Sequence, residues 1–304
     1  MARAAPGADR ATNIIAFLTA NRSRAFTLSE LVRHLGMNIA SAHATLAALC
    51  DCGFLVRDPI HRTYVLGPAL AATGFAALDQ HPAIGAAIEQ AEDLASELDA
   101  EVTVSAVAGR DVMLLARCGP SAGASSIGYP GDRTPLLAPF GAVFMAWAEP
   151  AAIDAWLERA DVSKREATHY RDVLAKIRDM GFSVPLESIG DPAVRAAMTH
   201  LRSDPADDTA EHDLTAALHT SGDMLLAGDR LDGGSITYKT IAAPIFDPLG
   251  QVVLSLSVTG SGEAEPTERV LALGRRIAQA AAVATRQARG RVPSRDPAAS
   301  TGSH

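Results

Sequence analysis

Two short amphipathic helices separated by a glycine and followed at once by a β-hairpin, all within residues 26 to 67, leave this part of the chain few ways to fold. In FTLSELVRHLGMNIASAHATLAALCDCGFLVRDPIHRTYVLG, Thr27 and Glu30 have the spacing of a capping box. There a hydroxyl and a carboxylate each satisfy one of the free N–H groups at a helix start. Leu28, Leu31, Val32 and Leu35 fall on one face, so the spacing predicts a helix over about 28–35. Gly36 can take the positive φ that ends it. After a turn at Met37-Asn38, a second helix carries Ala42, Leu46 and Leu49 at i, i+4 and i+7 until Gly53 stops it. The β-type runs Phe54 to Arg57 and Thr63 to Leu66 flank Asp58-Pro59-Ile60-His61-Arg62, a turn with a basic tip. With an earlier helix carrying Ile14, Phe17 and Leu18, the pattern predicts a three-helix winged helix-turn-helix, a module whose usual chemistry is contact with DNA. A small helical domain used only for protein contacts satisfies the same pattern, because a fold does not establish its use.

The net charge of −8 argues against a polyanionic partner until its distribution is considered. Residues 1–72 hold seven arginines (3, 10, 22, 24, 33, 57, 62) and four acids (9, 30, 51, 58), a balance of +3 that leaves −11 for the remainder. The basic part is the helix-turn-helix. At 304 residues the chain suits a small domain followed by a larger one. It has no run of eighteen apolar residues, and MARAAPGADR lacks the apolar core of a signal peptide, so a cytoplasmic protein is expected. Three cysteines, Cys50, Cys52 and Cys118, are too few for a disulfide scaffold and fit a reducing compartment.

Beyond the hairpin, PALAATGFAALDQ reads as a linker helix broken by His81-Pro82, and a further helix is expected over about 83–98. EVTVSAVAG and DVMLLARC, parted by Gly109-Arg110, predict an antiparallel hairpin. Residues 139–180 turn helical and end at Gly181. ITYKTIAAPIFD and QVVLSLSVTG flank Pro248-Leu249-Gly250 as a second hairpin, and EPTERVLALGRRIAQAAAVATRQA reads as a capped final helix. Residues 203–213, SDPADDTAEHD, are dense in acids and predict an exposed or mobile insertion. Gly228 to Gly234 reads as a turn. The expected division is a winged helix at 10–67, a linker helix at 68–82, a second domain at 83–288 and a disordered tail at 289–304, with an α+β fold overall.

Three segments in this order, TLSELVRHLGMNIASAHATLAALCDCGFLVRDPIHRTYVLG, GDRTPLLAPFGAVFMAW and AAPIFDPLGQVVLSLSVTG, resemble the IclR family of bacterial transcription regulators, over roughly residues 10 to 288. The resemblance implies an N-terminal DNA-binding winged helix and a C-terminal effector domain related to GAF and profilin-like α/β sensors, with an antiparallel sheet. It implies dimers that pair to tetramers on operator DNA, and a pocket for a small organic effector. The DNA-facing residues would be Arg22, Arg24, Thr27, Asn38, Ser41, His43, Thr45, Arg57, His61 and Arg62. The pocket face would include Thr240, Ser257 and Thr259, with Gly141 opening the helix that covers it. No cofactor and no metal are expected.

Two departures from the family pattern stand out. Between Ile39 and Ala44, where family members often carry Lys, Ser, Thr, His and Arg, only Ser41 and His43 keep that polarity, and Ala40, Ala44, Ala47 and Ala48 make the outward surface nearly all methyl. Alanine can touch thymine methyls but donates no hydrogen bond, so affinity is expected to rest on phosphate contacts from Arg22, Arg24, Arg57 and Arg62. On the effector side Leu137 and Pro139 stand where His and Thr are frequent, and Thr240 where Cys is, which points to an apolar aromatic or alicyclic carboxylic acid. A sensor or scaffold that no longer reads DNA is the alternative reading.

Other chemistry is less well supported. Gly119-Pro120-Ser121-Ala122-Gly123 matches the G-x-S-x-G nucleophile elbow of serine esterases, but that elbow must lead into a long helix, and ASSIGYPGD has no helical period. Cys50-Asp51-Cys52 with His43 and His61 lacks the spacing of a four-ligand zinc site. No phosphate-binding glycine motif occurs.

Overall fold

The computed structural model describes residues 5–123, 128–185, 192–203, 208–221 and 233–293. Its contacts divide the chain into two compact units, Met1–Gln80 with Arg195–Ala216, and His81–Val194 with Ala217–His304.

The first unit opens with helices α1 (Pro6–Ala20), α2 (Leu28–His34) and α3 (Ile39–Asp51), with strand β1 (Phe26–Thr27) before α2. Strands β2 (Leu55–Arg57) and β3 (Thr63–Leu66) form the hairpin, and α4 (Pro68–Gln80) follows. Ile14, Phe17, Leu31, Leu46 and Leu55 are buried together, with the rings of Phe17 and Phe26 edge to face at 4.9 Å. Helix α1 starts at Pro6, four residues before the expected boundary at 10, and proline there fits its first turn. The hairpin becomes a three-stranded sheet in the order β1-β3-β2, with Phe26 opposite Tyr64. A two-residue strand carries no alternation to read. It forms because Phe26 must enter the core beside β3. Helix α4 buries no residue within the chain.

Along the rest of the chain lie α5 (Pro82–Leu98), β4 (Val102–Ala108), β5 (Asp111–Cys118), β6 (Arg133–Pro135), α6 (Ala142–Met145), α7 (Pro150–Arg159) and α8 (Lys164–Met180). Then come α9 (Pro192–Ser203), α10 (Asp208–Ser221), β7 (Ser235–Ile236), β8 (Thr240–Phe246), β9 (Val252–Thr259), β10 (Glu265–Pro266) and α11 (Thr267–Gln287). Five strands make an antiparallel sheet in the order β6-β5-β4-β9-β8, while β7 pairs with β10. One sheet face, built from Val102, Val104, Ile241, Ala243, Leu256 and Val258, packs under α5 and α11. The other carries Ala242 among Phe144, Trp156, Leu174 and Ile177 of α6, α7 and α8.

Four expectations change. The run from Ile236 to Asp247 is two strands in different sheets, β7 pairing with β10 and β8 with β9. Helix α11 has no side-chain cap, since Pro266 precedes it and Thr267 instead donates to the carbonyl of Gly234. The acidic stretch is in part helix: α10 hides Ala210 and Leu214 at an i, i+4 spacing behind its acids, which high charge density masks in the sequence. The tail expected from 289 is pinned at its start, where the Arg291 N–H donates to the carbonyl of Asp247. Residues 294–304, 204–207 and 228–232 lie outside the described residues.

Candidate nucleic-acid interface and sheet-face site

The capping box at α2 forms as expected. Thr27 N and Oγ1 each donate to Glu30 Oε2 at 2.8 Å, and Glu30 N donates back to Thr27 Oγ1 at 3.3 Å. The backbone N–H of Thr27, more than any other group, holds the Glu30 carboxyl below its usual range. Asn38 caps α3, its Oδ1 accepting from Ala40 N at 2.9 Å and Ser41 N at 3.4 Å, and Thr45 Oγ1 donates to Ser41 O at 2.9 Å. Thr27, Asn38 and Thr45 are thus engaged in building the two helices.

The outward surface of α3 is Ile39, Ala40, His43, Ala44, Ala47 and Ala48, with Ser41 half-buried, while Ala42, Leu46 and Leu49 face the core. Arg24 is ion-paired to Glu30 and lies over the Phe26 ring at 4.7 Å, so part of its charge is already compensated. Arg22 is exposed, and Arg57 is exposed beside the face of Tyr64, 5.9 Å from its centroid. The wing tip is set by Asp58. Its Oδ1 accepts from Ile60 N at 2.7 Å and His61 N at 2.9 Å, and its Oδ2 lies 3.2 Å from His61 Nδ1. The His61 backbone N–H leads in holding this carboxyl below its usual range. Arg62, at φ 57°, and Ile60, 82 % exposed, project from the tip. Ile39 is likewise exposed, so two apolar side chains stand out from α3 and the wing tip.

In the second unit, Gly141 precedes α6 with φ 75°, and a Cβ there would overlap Leu136 Cδ1 and sit 3.2 Å from Val112 Cγ2. Helix α6 packs on β8 and β9. Thr240 lies opposite Thr259 and Ala242 opposite Ser257. Since alternate residues share a sheet face, Thr240, Ser257 and Thr259 all point away from α5 and α11. Thr259 is engaged: its Oγ1 donates to Glu101 Oε1 at 3.1 Å. The Glu101 side chain is fully buried, accepts from Ala122 N at 3.2 Å and stands 3.7 Å from Arg117 Nη1. Arg117 in turn lies 4.3 Å from the centroid of the Tyr129 ring. Sequence reasoning missed Glu101 and Arg117, which only the pairing of β4 with β5 and β9 brings together.

Ser121 is on an exposed loop, its Oγ accepting from Gly123 N at 3.3 Å. No α-helix occurs among the described residues between it and Gly141, so the strand-turn-helix geometry of an elbow is not formed there. Among the described residues no group of three His, Cys, Asp or Glu could hold a metal ion, and no helix is long and apolar enough to cross a membrane. Cys50, Cys52 and Cys118 are free thiols, and burial pushes those of Cys50 and Cys118 up.

Residues 7–59 match the sequence model of the IclR helix-turn-helix domain. Among solved structures, the chain is similar to an IclR transcriptional regulator from Alicyclobacillus acidocaldarius, with a TM-score of 0.65 and 17 % identity over 94 % of this chain and all of that one. It is also similar to HmgR from Pseudomonas aeruginosa, with a TM-score of 0.58 and 23 % identity over 90 % of this chain and 98 % of that one. No curated protein matches in sequence. At these identities the structural likeness describes the fold, and the N-terminal module is an IclR-type helix-turn-helix.

Proposed function

We propose that this chain, which joins an IclR-type helix-turn-helix to the fold of IclR transcriptional regulators, is a ligand-responsive transcription regulator that acts in the cytoplasm on operator DNA. The observation that carries the reading is the basic N-terminal segment, with a balance of +3 over residues 1–72. Arg22, Arg57 and Arg62 are exposed on the segments before α2 and around the wing, in a chain whose remaining charge is strongly negative. In this reading α3 enters the major groove, with Ser41 and His43 meeting base edges and the methyls of Ala40 and Ala44 meeting thymine. Arg57, His61 and Arg62 hold the phosphates from the wing. Thr27, Asn38 and Thr45 serve by positioning.

A small organic effector binds at the sheet face near Thr240, Ser257 and Thr259, under the helix opened by Gly141, and no step of covalent chemistry is assigned to the protein. The chain works as a dimer or a pair of dimers, so that a half-site is read by each copy. Helix α4, as linker, passes the effector's preference for one arrangement to the DNA-binding modules. A winged helix that has ceased to read DNA is favoured by one observation, the alanine surface of α3. A salt-titrated gel shift on the region upstream of the protein's own gene separates the two. A retarded band that weakens steeply with salt, and competes better with that region than with random DNA, is expected; no band at low salt would overturn the regulator reading.

A further inference from the structure

Four hydroxyls stand in a square on the sheet face turned away from α5 and α11. Thr103 of β4 is opposite Ser257 of β9, and Ser105 is opposite Ser255. All four are buried, with Thr103 at 0 % exposure. Thr103 Oγ1 is sealed from solvent without a hydrogen-bond partner, and the hydroxyls of Ser105, Ser255 and Ser257 have none among the described residues. Burying such a group unpaired costs about 1–3 kcal/mol, and a valine at position 103 would avoid it. On the opposite face the same two strands carry Val102, Val104, Leu254, Leu256 and Val258. The polarity therefore belongs to this face alone.

We infer that the square is the polar floor of the effector site and that the effector is an uncharged, hydroxyl-rich molecule of polyol or sugar type. This rests on the regulator reading above and names the ligand class for its effector site. Each hydroxyl donates one hydrogen bond and accepts others, which suits ligand groups that also do both. Paired positions lie about 5 Å apart across the strands and about 7 Å apart along them, a grid that the successive hydroxyls of a short carbon chain or ring can span. The charged groups at the edge, Glu101 and Arg117, already face each other at 3.7 Å. A carboxylate ligand would bring a further charge into a desolvated face whose cation is already engaged by Glu101 and Tyr129, whereas a neutral ligand adds none. The floor thus selects differently from the apolar acid that Leu137 and Pro139 suggest in the sequence. Leu137 is buried in the apolar layer of α6, α7 and α8, and its character describes that packing.

Thermal unfolding of the full chain tests this with xylitol and D-sorbitol set against D-gluconate and benzoate. The neutral polyols are expected to raise Tm by about 4 °C once they exceed their dissociation constant tenfold, and the two acids to leave it unchanged. Thr103→Val is expected to abolish the polyol shift while leaving the ligand-free Tm equal or higher, since it removes an unpaired buried hydroxyl at nearly constant shape; a purely structural hydroxyl would lower it. Ser255→Ala provides the second variant on β9, with the same loss of response. A larger shift with gluconate or benzoate, no shift with any of the four, or an undiminished polyol shift in Thr103→Val overturns the ligand class. DNA affinity of both variants without ligand, read in parallel, stays at the parent value. Intact DNA binding beside a failed polyol response sinks only this inference, whereas absent DNA binding in the parent chain sinks the regulator reading.

Discussion

Two glycine-to-alanine substitutions seven residues apart should change stability in opposite directions. Gly67 joins the wing to α4, where its N–H donates to the carbonyl of Phe54 at 2.7 Å and Ala69 N donates to that of Gly53 at 3.2 Å. A Cβ at Gly67 would overlap the Gly53 carbonyl oxygen and lie 2.9 Å from the carbonyl carbons of Gly53 and Phe54. All of these are backbone atoms that no rotamer change can move aside. Gly67→Ala must therefore shift the wing from α4 and weaken both hydrogen bonds, at about 1 kcal/mol each. Overpacking adds about 1–3 kcal/mol, for a destabilisation of roughly 3–5 kcal/mol. Gly74, within α4, has open space around its Cβ position, and alanine there gains about 1 kcal/mol of helix propensity. Urea unfolding followed by far-UV circular dichroism reads both as shifts in midpoint at constant slope. A Gly67→Ala midpoint equal to or above that of the parent, or a Gly74→Ala midpoint below it, would refute the argument from backbone approach.

Other consequences follow from the same unit. The Glu30 carboxyl is held below its ordinary 4.5 in the folded chain, so its contribution is complete above the unfolded value and is lost as pH falls through the folded one; urea midpoints should drop on acidification below about 4.5. Thr27→Ala should cost about 1 kcal/mol at neutral pH and flatten that drop. Arg57→Ala or Arg62→Ala should weaken binding to every DNA sequence alike and lower the salt slope by about 0.9 for each phosphate no longer neutralised, as read by fluorescence anisotropy at several salt concentrations. Arg24→Ala should change the slope less, because Glu30 already compensates Arg24. Leu46→Ala, at a site with no exposure, should destabilise the N-terminal unit by about 3 kcal/mol in thermal or urea unfolding, and the disturbed alanine surface should show as reduced DNA affinity.

The N-terminal module was legible because its signals are local. The Thr27–Glu30 box and the Ala42, Leu46 and Leu49 stripe act within four residues or repeat at the helical period, and each is found where the sequence predicts it, whereas the Asn38 cap came from the structure. The hairpins at Gly109-Arg110 and Pro248 to Gly250 were legible for the same reason. Helix α10 was not, because its buried Ala210 and Leu214 are outnumbered by acids whose exposure depends on the fold. Strand β1 escaped because two residues carry no period.

The sheet-face site divides along the same line. Alternation in VTVSA and LSLSVT already assigns Thr103, Ser105, Ser255 and Ser257 to the polar side of their strands. That the two strands are neighbours in this register, so that the four hydroxyls form one buried square with Glu101 and Arg117 at its edge, depends on pairings across some 150 residues. Short-range periodicity is a property of the chain. Register between distant strands is set by which faces find apolar partners, here α5 and α11 on one side and α6, α7 and α8 on the other, and only the tertiary structure decides that.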